Sequence, residues 1–232
     1  MIRTEVAVIL PALNEEGSVE SVVTGFRDEG VRVLVVDNGS TDDTATRALR
    51  AGAEVVHEKN RGYGYACLAG LSYLNTNPPE IVVFADCDGT LDPRDLQNLI
   101  QPITSDRADL VLGRRVRVET GALPLHQRIG NEIALVLLRT LYGLAVSDIP
   151  PYRAVRWSFL VKLGLSERTY GLPVETVAVA ARRNGRVEEV NVTYRRRVEG
   201  KSKVTGSLRN SLLAGWAMLS LLVVLRFRKR SL

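Results

Sequence analysis

Cysteine, histidine and aromatic side chains are scarce in this chain of 232 residues: two Cys, two His, and Phe, Trp and Tyr together at 6%. Cys67 and Cys87 stand apart, without C-x-x-C spacing, which argues against a zinc site or a redox motif and leads us to expect reduced thiols in a cytoplasmic protein. The basic residues are not interleaved with aromatics and no recognition module is present, so nucleic acid is not the expected partner. No glycine-rich loop with a lysine follows the first apolar run, as a nucleotidyltransferase would require. Internal repeats, low-complexity segments and linkers are also missing, and because Met1–Glu5 passes straight into an apolar run no signal peptide is expected. The apolar run Leu212–Leu225 is too short to cross a bilayer, since a helix of that length spans roughly 21 Å against a hydrocarbon core of about 30 Å.

What the sequence does contain is an ordinary globular composition, 45% hydrophobic and 25% charged, enough for one α/β domain with a full core. The net charge of +5 is uneven: acids dominate the first half, and arginine crowds the second, ending in Arg226, Arg228, Lys229 and Arg230. That asymmetry suits phosphate-bearing small molecules or an anionic membrane surface.

Short Val/Ile/Leu-rich runs at Val6–Leu10, Val31–Val36, Glu54–His57, Ile81–Ala85 and Leu110–Leu112 predict strands, separated by helical spacing at Gly17–Glu29, Thr41–Ala51, Tyr65–Leu74 and Pro93–Pro102. Such alternation implies a mostly parallel sheet covered on both faces. Ser40-Thr41-Asp42-Asp43 and Asp92-Pro93 read as helix starts. Beyond Gly113 the regularity breaks into a loop to Gln127, an apolar helix over Arg128–Leu144 and a second loop over Asp148–Arg153.

The chemistry lies at the predicted strand ends. Asp86-Cys87-Asp88 directly follows the fourth run, where ligands sit in open α/β sheets. Two carboxylates aimed together repel unless a cation neutralises them, and Mg²⁺ or Mn²⁺ takes oxygen ligands shared with substrate phosphates; the bland alternative is an Asp-x-Asp-Gly turn cap. Asp37 ends the second run, and Pro11-Ala12-Leu13-Asn14-Glu15 the first, so three neighbouring strand ends would feed one crevice. Arg61-Gly62-Tyr63-Gly64 invites a dinucleotide-binding reading, but it follows the third strand, and Gly62 more simply lets backbone approach a nucleotide. For His57 and His126 a structural role is expected, and for Arg195-Arg196 a solvated basic face.

Together, Pro11–Glu15, Val36–Asp42 and Asp86–Asp88 resemble the family 2 glycosyltransferases. The resemblance implies the GT-A fold, a Rossmann-like, mostly parallel sheet with helices on both faces, over residues 1–206, with 207–232 left as an apolar C-terminal helix with a basic end. Asp148–Arg153 and Arg197–Lys203 are similar to segments of the dolichyl- and polyprenyl-phosphate mannose or glucose synthases. Carried over by position, Pro11, Ala12, Asn14, Glu15, Asp37, Gly62 and Asp86 would hold a UDP- or GDP-linked sugar, Asp86 and Asp88 the metal, and Arg115, Arg128, Arg153 and Ser202 the acceptor phosphate. Asp88, Arg197 and Lys203 would stabilise the leaving diphosphate during an inverting transfer. Asn38 stands where many relatives have a second acid, Pro150-Pro151 replaces a serine of the branch, and the Gln-x-x-Arg-Trp motif of processive relatives is missing.

The expected activity is therefore a metal-dependent hexosyltransferase acting on a lipid phosphate, peripheral on the cytoplasmic face of a membrane through its C-terminal helix. A phosphate acceptor is already an anion and needs no base. A soluble or protein-borne hydroxyl acceptor is the alternative; it needs a general base, for which Glu175 is the remaining candidate. A non-catalytic nucleotide-sugar-binding module is the rival of another class.

Overall fold

The computed structural model describes residues 5–118, 125–197 and 208–227. Four strands, β1 (Val6–Ala12), β2 (Arg32–Asp37), β3 (Glu54–His57) and β4 (Ile81–Phe84), alternate with helices α1 (Val19–Asp28), α2 (Thr44–Arg50) and α3 (Tyr63–Leu74). After β4 come a 3₁₀ turn over Pro93–Asp95, α4 (Leu96–Thr104), β5 (Leu110–Val118) and α5 (Leu125–Tyr142). The chain then adds β6 (Arg153–Arg156), α6 (Trp157–Leu163), α7 (Leu172–Arg182), β7 (Val187–Tyr194) and α8 (Leu208–Phe227). The sheet order is β3-β2-β1-β4-β6-β5-β7. Among the described strands only β6 runs antiparallel to its neighbours, β4 and β5. This is the mostly parallel α/β sheet the sequence predicts.

The central strands are apolar continuously rather than alternately, because both of their faces are covered. Val8, Ile9 and Leu10 of β1 are all 0% exposed, and each such side chain contributes about 1.5–3 kcal/mol when fully buried. The strand ends that carry chemistry are therefore held by the most rigid part of the molecule. One face is closed by α1, α2 and α4, the other by α3 and α5 to α8. Helix α1 illustrates the pattern: Val19, Val22, Val23 and Phe26 fall on one stripe and are buried. Asp92 caps the 3₁₀ turn through the Arg94 amide, with Pro93 following, as expected. At α2 the helix starts later than predicted, at Thr44, whose amide donates to Asp42.

The second half departs from its sequence reading. The loop expected from Arg114 begins instead as strand, because β7 pairs with β5 from Leu110 to Val118, with a register shift between Arg115 and Arg117. The loop at Asp148 runs directly into β6, which fills the gap between β4 and β5. Helix α8 lies against α5 and α7, with Leu222 and Leu225 buried. Tyr142 Oη donates to the Leu222 carbonyl at 2.5 Å, and Arg182 Nη1 donates to the Leu225 carbonyl, satisfying an acceptor in the last turn of α8. Among the described residues no helix is long and apolar enough to cross a membrane.

Candidate active site

Register places the predicted strand ends side by side. Ala12 pairs with Asp37 across β1 and β2, and Ile9 with Phe84 across β1 and β4, so Asn14, Asp37 and Asp86 all emerge at one sheet edge. Asn14 adopts a left-handed conformation (φ 51°), tolerated by an asparagine whose side chain bonds locally. Its Oδ1 accepts from the Thr41 amide at 2.8 Å and its own amide donates to Ser40 Oγ at 3.0 Å. Asp37 is 6% exposed; Oδ1 accepts from the Ser40 amide at 3.1 Å and Oδ2 lies 3.1 Å from His57 Nδ1. His57 thus pairs with a predicted nucleoside residue.

Asn38 explains its own departure from the family pattern. Its Nδ2 donates to the carbonyls of Glu58 (3.1 Å) and Asn60 (2.7 Å), while Oδ1 accepts from the Gly62 amide at 2.7 Å. A carboxylate there would lack the donor those two carbonyls need. Gly62 has φ 151°, and a Cβ on it would lie 2.5 Å from the Arg168 carbonyl oxygen, so the loop between β3 and α3 is closed against residues 167–169 by backbone contact.

The carboxylate pair lies just beyond β4. Ser18 Oγ donates to the Cys87 carbonyl at 2.7 Å and fixes the turn between Asp86 and Asp88. Asp88, 6% exposed, accepts at Oδ1 from the Thr90 amide (3.0 Å) and Oγ1 (2.6 Å). Asp86 makes no hydrogen bond or ion pair among the described residues. Burial and the neighbouring Asp88 charge push its pKa up to about 7, against the pull of Arg197, Arg153 and Arg115. An uncommitted carboxylate beside a second one fits a divalent cation. Among the described residues no group of three or more His, Cys, Asp or Glu could hold a metal, so the remaining ligands would come from substrate oxygens and water, as Mg²⁺ and Mn²⁺ accept. Burial pushes the Cys67 thiol up to about 12 and the Cys87 thiol well above its usual range, which keeps both protonated and out of the chemistry.

Arg197 reaches this pair from the far side of the sheet. Its Nη2 lies 2.8 Å from Asp88 Oδ2, and its Nη1 donates to both Glu15 oxygens at 2.7 and 2.9 Å. The strap that carries it is fastened to the turn after Asp88. Thr193 N donates to Asp95 Oδ2 at 2.7 Å, Arg195 N to the Thr90 carbonyl at 2.8 Å, and Arg195 Nη2 to Asp92 Oδ2 at 2.5 Å. Arg195 is therefore an anchoring ion pair with a buried carboxylate rather than the solvated face expected of it. The sequence marks Asp92 as a helix cap but not as the partner of Arg195, and it does not single out Thr90, because a turn threonine looks alike wherever it occurs.

The expected acceptor-phosphate residues divide. Arg115 forms a bidentate pair with Asp148 (2.7 and 2.6 Å) and stacks over Tyr194 at 5.3 Å. Asp148 is held in turn by Glu189, which accepts from the amides of Ser147 and Asp148. Arg153 has no exposed surface: it packs 4.3 Å from the Phe84 ring centroid beneath the site, its Nη1 donating to the Pro151 carbonyl at 3.0 Å while Nε and Nη2 lack partners among the described residues. It does not present itself to an acceptor. The Arg128 side chain, Ser202 and Lys203 lie outside the described residues. Glu175, expected as a base, is 3% exposed, and its oxygens accept from the Ser166 amide (3.2 and 3.0 Å), Ser166 Oγ (3.1 Å) and the Glu167 amide (2.8 Å). It ties down the loop between α6 and α7, and its lone pairs are occupied.

Comparison with known proteins agrees with this geometry. Residues 7–164 match the model of "Glycosyl transferase family 2". The chain is 45% identical over 214 residues to a Mycobacterium tuberculosis protein named as a glycosyltransferase, covering 92% of this chain and 96% of the relative. It is 31% identical over 218 residues to the undecaprenyl-phosphate mannosyltransferase of Micrococcus luteus, covering 88% of each. Among solved structures it resembles the glucosyl-3-phosphoglycerate synthase of M. tuberculosis in complex with Mn²⁺, UDP-glucose and phosphoglyceric acid, with TM-score 0.77, 25% identity and coverage of 98% of this chain and 82% of that one.

Proposed function

The chain belongs to glycosyl transferase family 2 and is a glycosyltransferase, and we propose that it moves a sugar from a nucleoside diphosphate donor onto an acceptor that itself carries a phosphate. The observation that carries this reading is the uncommitted Asp86 carboxylate beside Asp88, at the strand edge shared with Asn14 and Asp37 and faced by Arg197. Pro11, Ala12, Asn14, Glu15, Asp37 and Gly62 would enclose the nucleoside, for which UDP is the leading candidate because the synthase resembled above binds UDP-glucose. Mg²⁺ or Mn²⁺ on Asp86 and Asp88 would supply positive charge for the departing diphosphate. Arg197, with Lys203, would add to that charge from the protein side.

Two acceptors share the phosphate. A soluble phosphorylated hydroxy acid is supported by the phosphoglyceric acid bound to the M. tuberculosis synthase, whose fold matches 98% of this chain, and it stands first. A lipid phosphate is favoured by one specific observation: Glu175 is committed to Ser166 and Glu167, and a phosphate oxygen needs no base. The name of the M. luteus relative supports it too. Under that second reading the exposed Ile133 and Val136 of α5 and Val223, Val224 and Phe227 of α8 would rest on the cytoplasmic face of a membrane. In both readings transfer inverts the anomeric centre, as the family resemblance implies.

Incubation with labelled UDP- and GDP-sugars and Mn²⁺, in parallel with 3-phosphoglyceric acid and with undecaprenyl phosphate in detergent, separates the two. A phosphatase-sensitive, water-soluble labelled product supports the first, and a butanol-extractable one the second. Label transferred equally well by Asp88→Ala refutes the role given to the carboxylate pair.

A further inference from the structure

We propose that Arg197 is an exchangeable internal counter-ion, which makes binding of the divalent cation depend on the presence of the diphosphate. The inference rests on the reading of Asp86 and Asp88 as the cation residues. Its basis is how the pair is occupied. Both Asp88 oxygens are committed, Oδ1 to the amide and hydroxyl of Thr90 (3.0 and 2.6 Å) and Oδ2 to Arg197 Nη2 (2.8 Å). The other end of the same guanidinium grips Glu15 at 2.7 and 2.9 Å. The three side chains are 21%, 10% and 9% exposed for Arg197, Glu15 and Asp88, so water screens their charges poorly. A protein cation thus neutralises one of the two carboxylates that a metal would use, leaving Asp86 as the carboxylate without a hydrogen bond.

Two cations compete for one buried oxygen. Metal alone must displace Arg197 from Asp88 and leave a half-buried guanidinium with Glu15 as its remaining carboxylate partner, which costs affinity. When a nucleoside diphosphate arrives with the metal, its phosphate oxygens offer the guanidinium a new bidentate partner, so the exchange no longer strands a charge. Glu15 keeps the guanidinium beside the site meanwhile, and the strap behind it is fixed as far as Arg195 by Asp92, Asp95 and Thr90. Arg197 therefore couples the two ligands: each binds better when the other is present, by the same factor in both directions.

A metal site without this device responds differently to loss of the arginine. If Arg197 served only the phosphates, Arg197→Gln would weaken nucleotide binding and leave metal binding unchanged. The exchange requires effects of opposite sign. Mn²⁺ binding to the full-length protein, followed by the loss of the free-ion EPR signal with and without UDP, measures both. For Arg197→Gln we expect Mn²⁺ alone to bind about tenfold tighter than in wild type, and Mn²⁺ in the presence of UDP about tenfold weaker. Unfolding curves recorded in EDTA check that the variant is folded. Should it not fold, Arg197→Lys carries the same signs at about two- to threefold, since an ammonium cannot bridge both carboxylates. Mn²⁺ affinity that is unchanged or weaker in the folded variant, measured without nucleotide, overturns the counter-ion role while leaving the proposed function standing. Failure of wild type to bind Mn²⁺ with or without UDP removes both.

Discussion

Replacing Glu175 by glutamine tests whether this buried carboxylate holds a loop or abstracts a proton, because the two roles differ in what they cost. In the structure its two oxygens accept four hydrogen bonds, from the amide of Ser166 to both oxygens, the hydroxyl of Ser166 and the amide of Glu167. A glutamine keeps the shape but turns one oxygen into a donor that faces another donor. One buried N–H or O–H loses its partner, at about 1–3 kcal/mol, and the remaining bonds lose their charge assistance, at about 1 kcal/mol more. The sum, about 2–4 kcal/mol, corresponds to a fall in Tm of roughly 5–15 °C for a chain of this length. Sugar transfer measured well below that Tm should stay within about threefold of wild type. Loss of a general base would instead lower kcat by about 10²–10⁴-fold. A variant with unchanged Tm and a hundredfold loss of kcat would refute the structural assignment and return Glu175 to the chemistry.

Four further outcomes follow from other contacts in the structure. Gly64→Ala would place a Cβ 2.2 Å from the Glu167 carbonyl oxygen and 2.6 Å from Arg168 backbone, so we expect a loss of about 3 kcal/mol in urea unfolding; Gly130→Ala, with nothing among the described residues within 4 Å of its Cβ, should be neutral or stabilise helix α5 by up to about 1 kcal/mol. Asp92, held below the usual carboxylate range by Arg94 and Arg195, stabilises the fold above its unfolded pKa and loses that contribution as pH falls through its lower folded pKa; the Tm gap between wild type and Asp92→Asn should be full at pH 7 and close below about pH 4. Asp86 has the opposite sign. Its folded pKa of about 7 means that the folded protein holds a proton that the unfolded chain releases near pH 4, so in EDTA the protein should lose stability as pH rises from about 4 to about 7, by at most about 4 kcal/mol. Asp86→Asn should flatten that slope, and a slope unchanged in the variant would show that Asp86 is not its source.

The local half of the fold was readable because its signals are local. Val6–Leu10, Val33–Val36 and Ile81–Phe84 are buried on both faces, and burial on both faces leaves an unbroken apolar run that no helix of that length would need. Beyond Gly113 the elements are stabilised by partners far along the chain. Residues Arg114–Val118 are too polar to read as strand and become one because β7 lies beside them, and β7 itself averages only partial burial along most of its length. Strands of that kind have no pattern until their neighbours are known.

The same division runs through the site. Sequence alone determined that Asp37, Asp86 and Asp88 end or follow buried strands, and hence that acids from separate segments meet at one sheet edge, because a parallel sheet aligns its carboxyl ends. Only the tertiary structure decided what each charge faces. Arg197 meets Glu15 across 182 positions of sequence, Arg115 is claimed by Asp148, Arg153 is sealed over Phe84, and Glu175 is occupied by Ser166. A side chain's charge is written in its residue type, but its counter-charge is chosen by packing, and burial makes that choice worth more than any local preference.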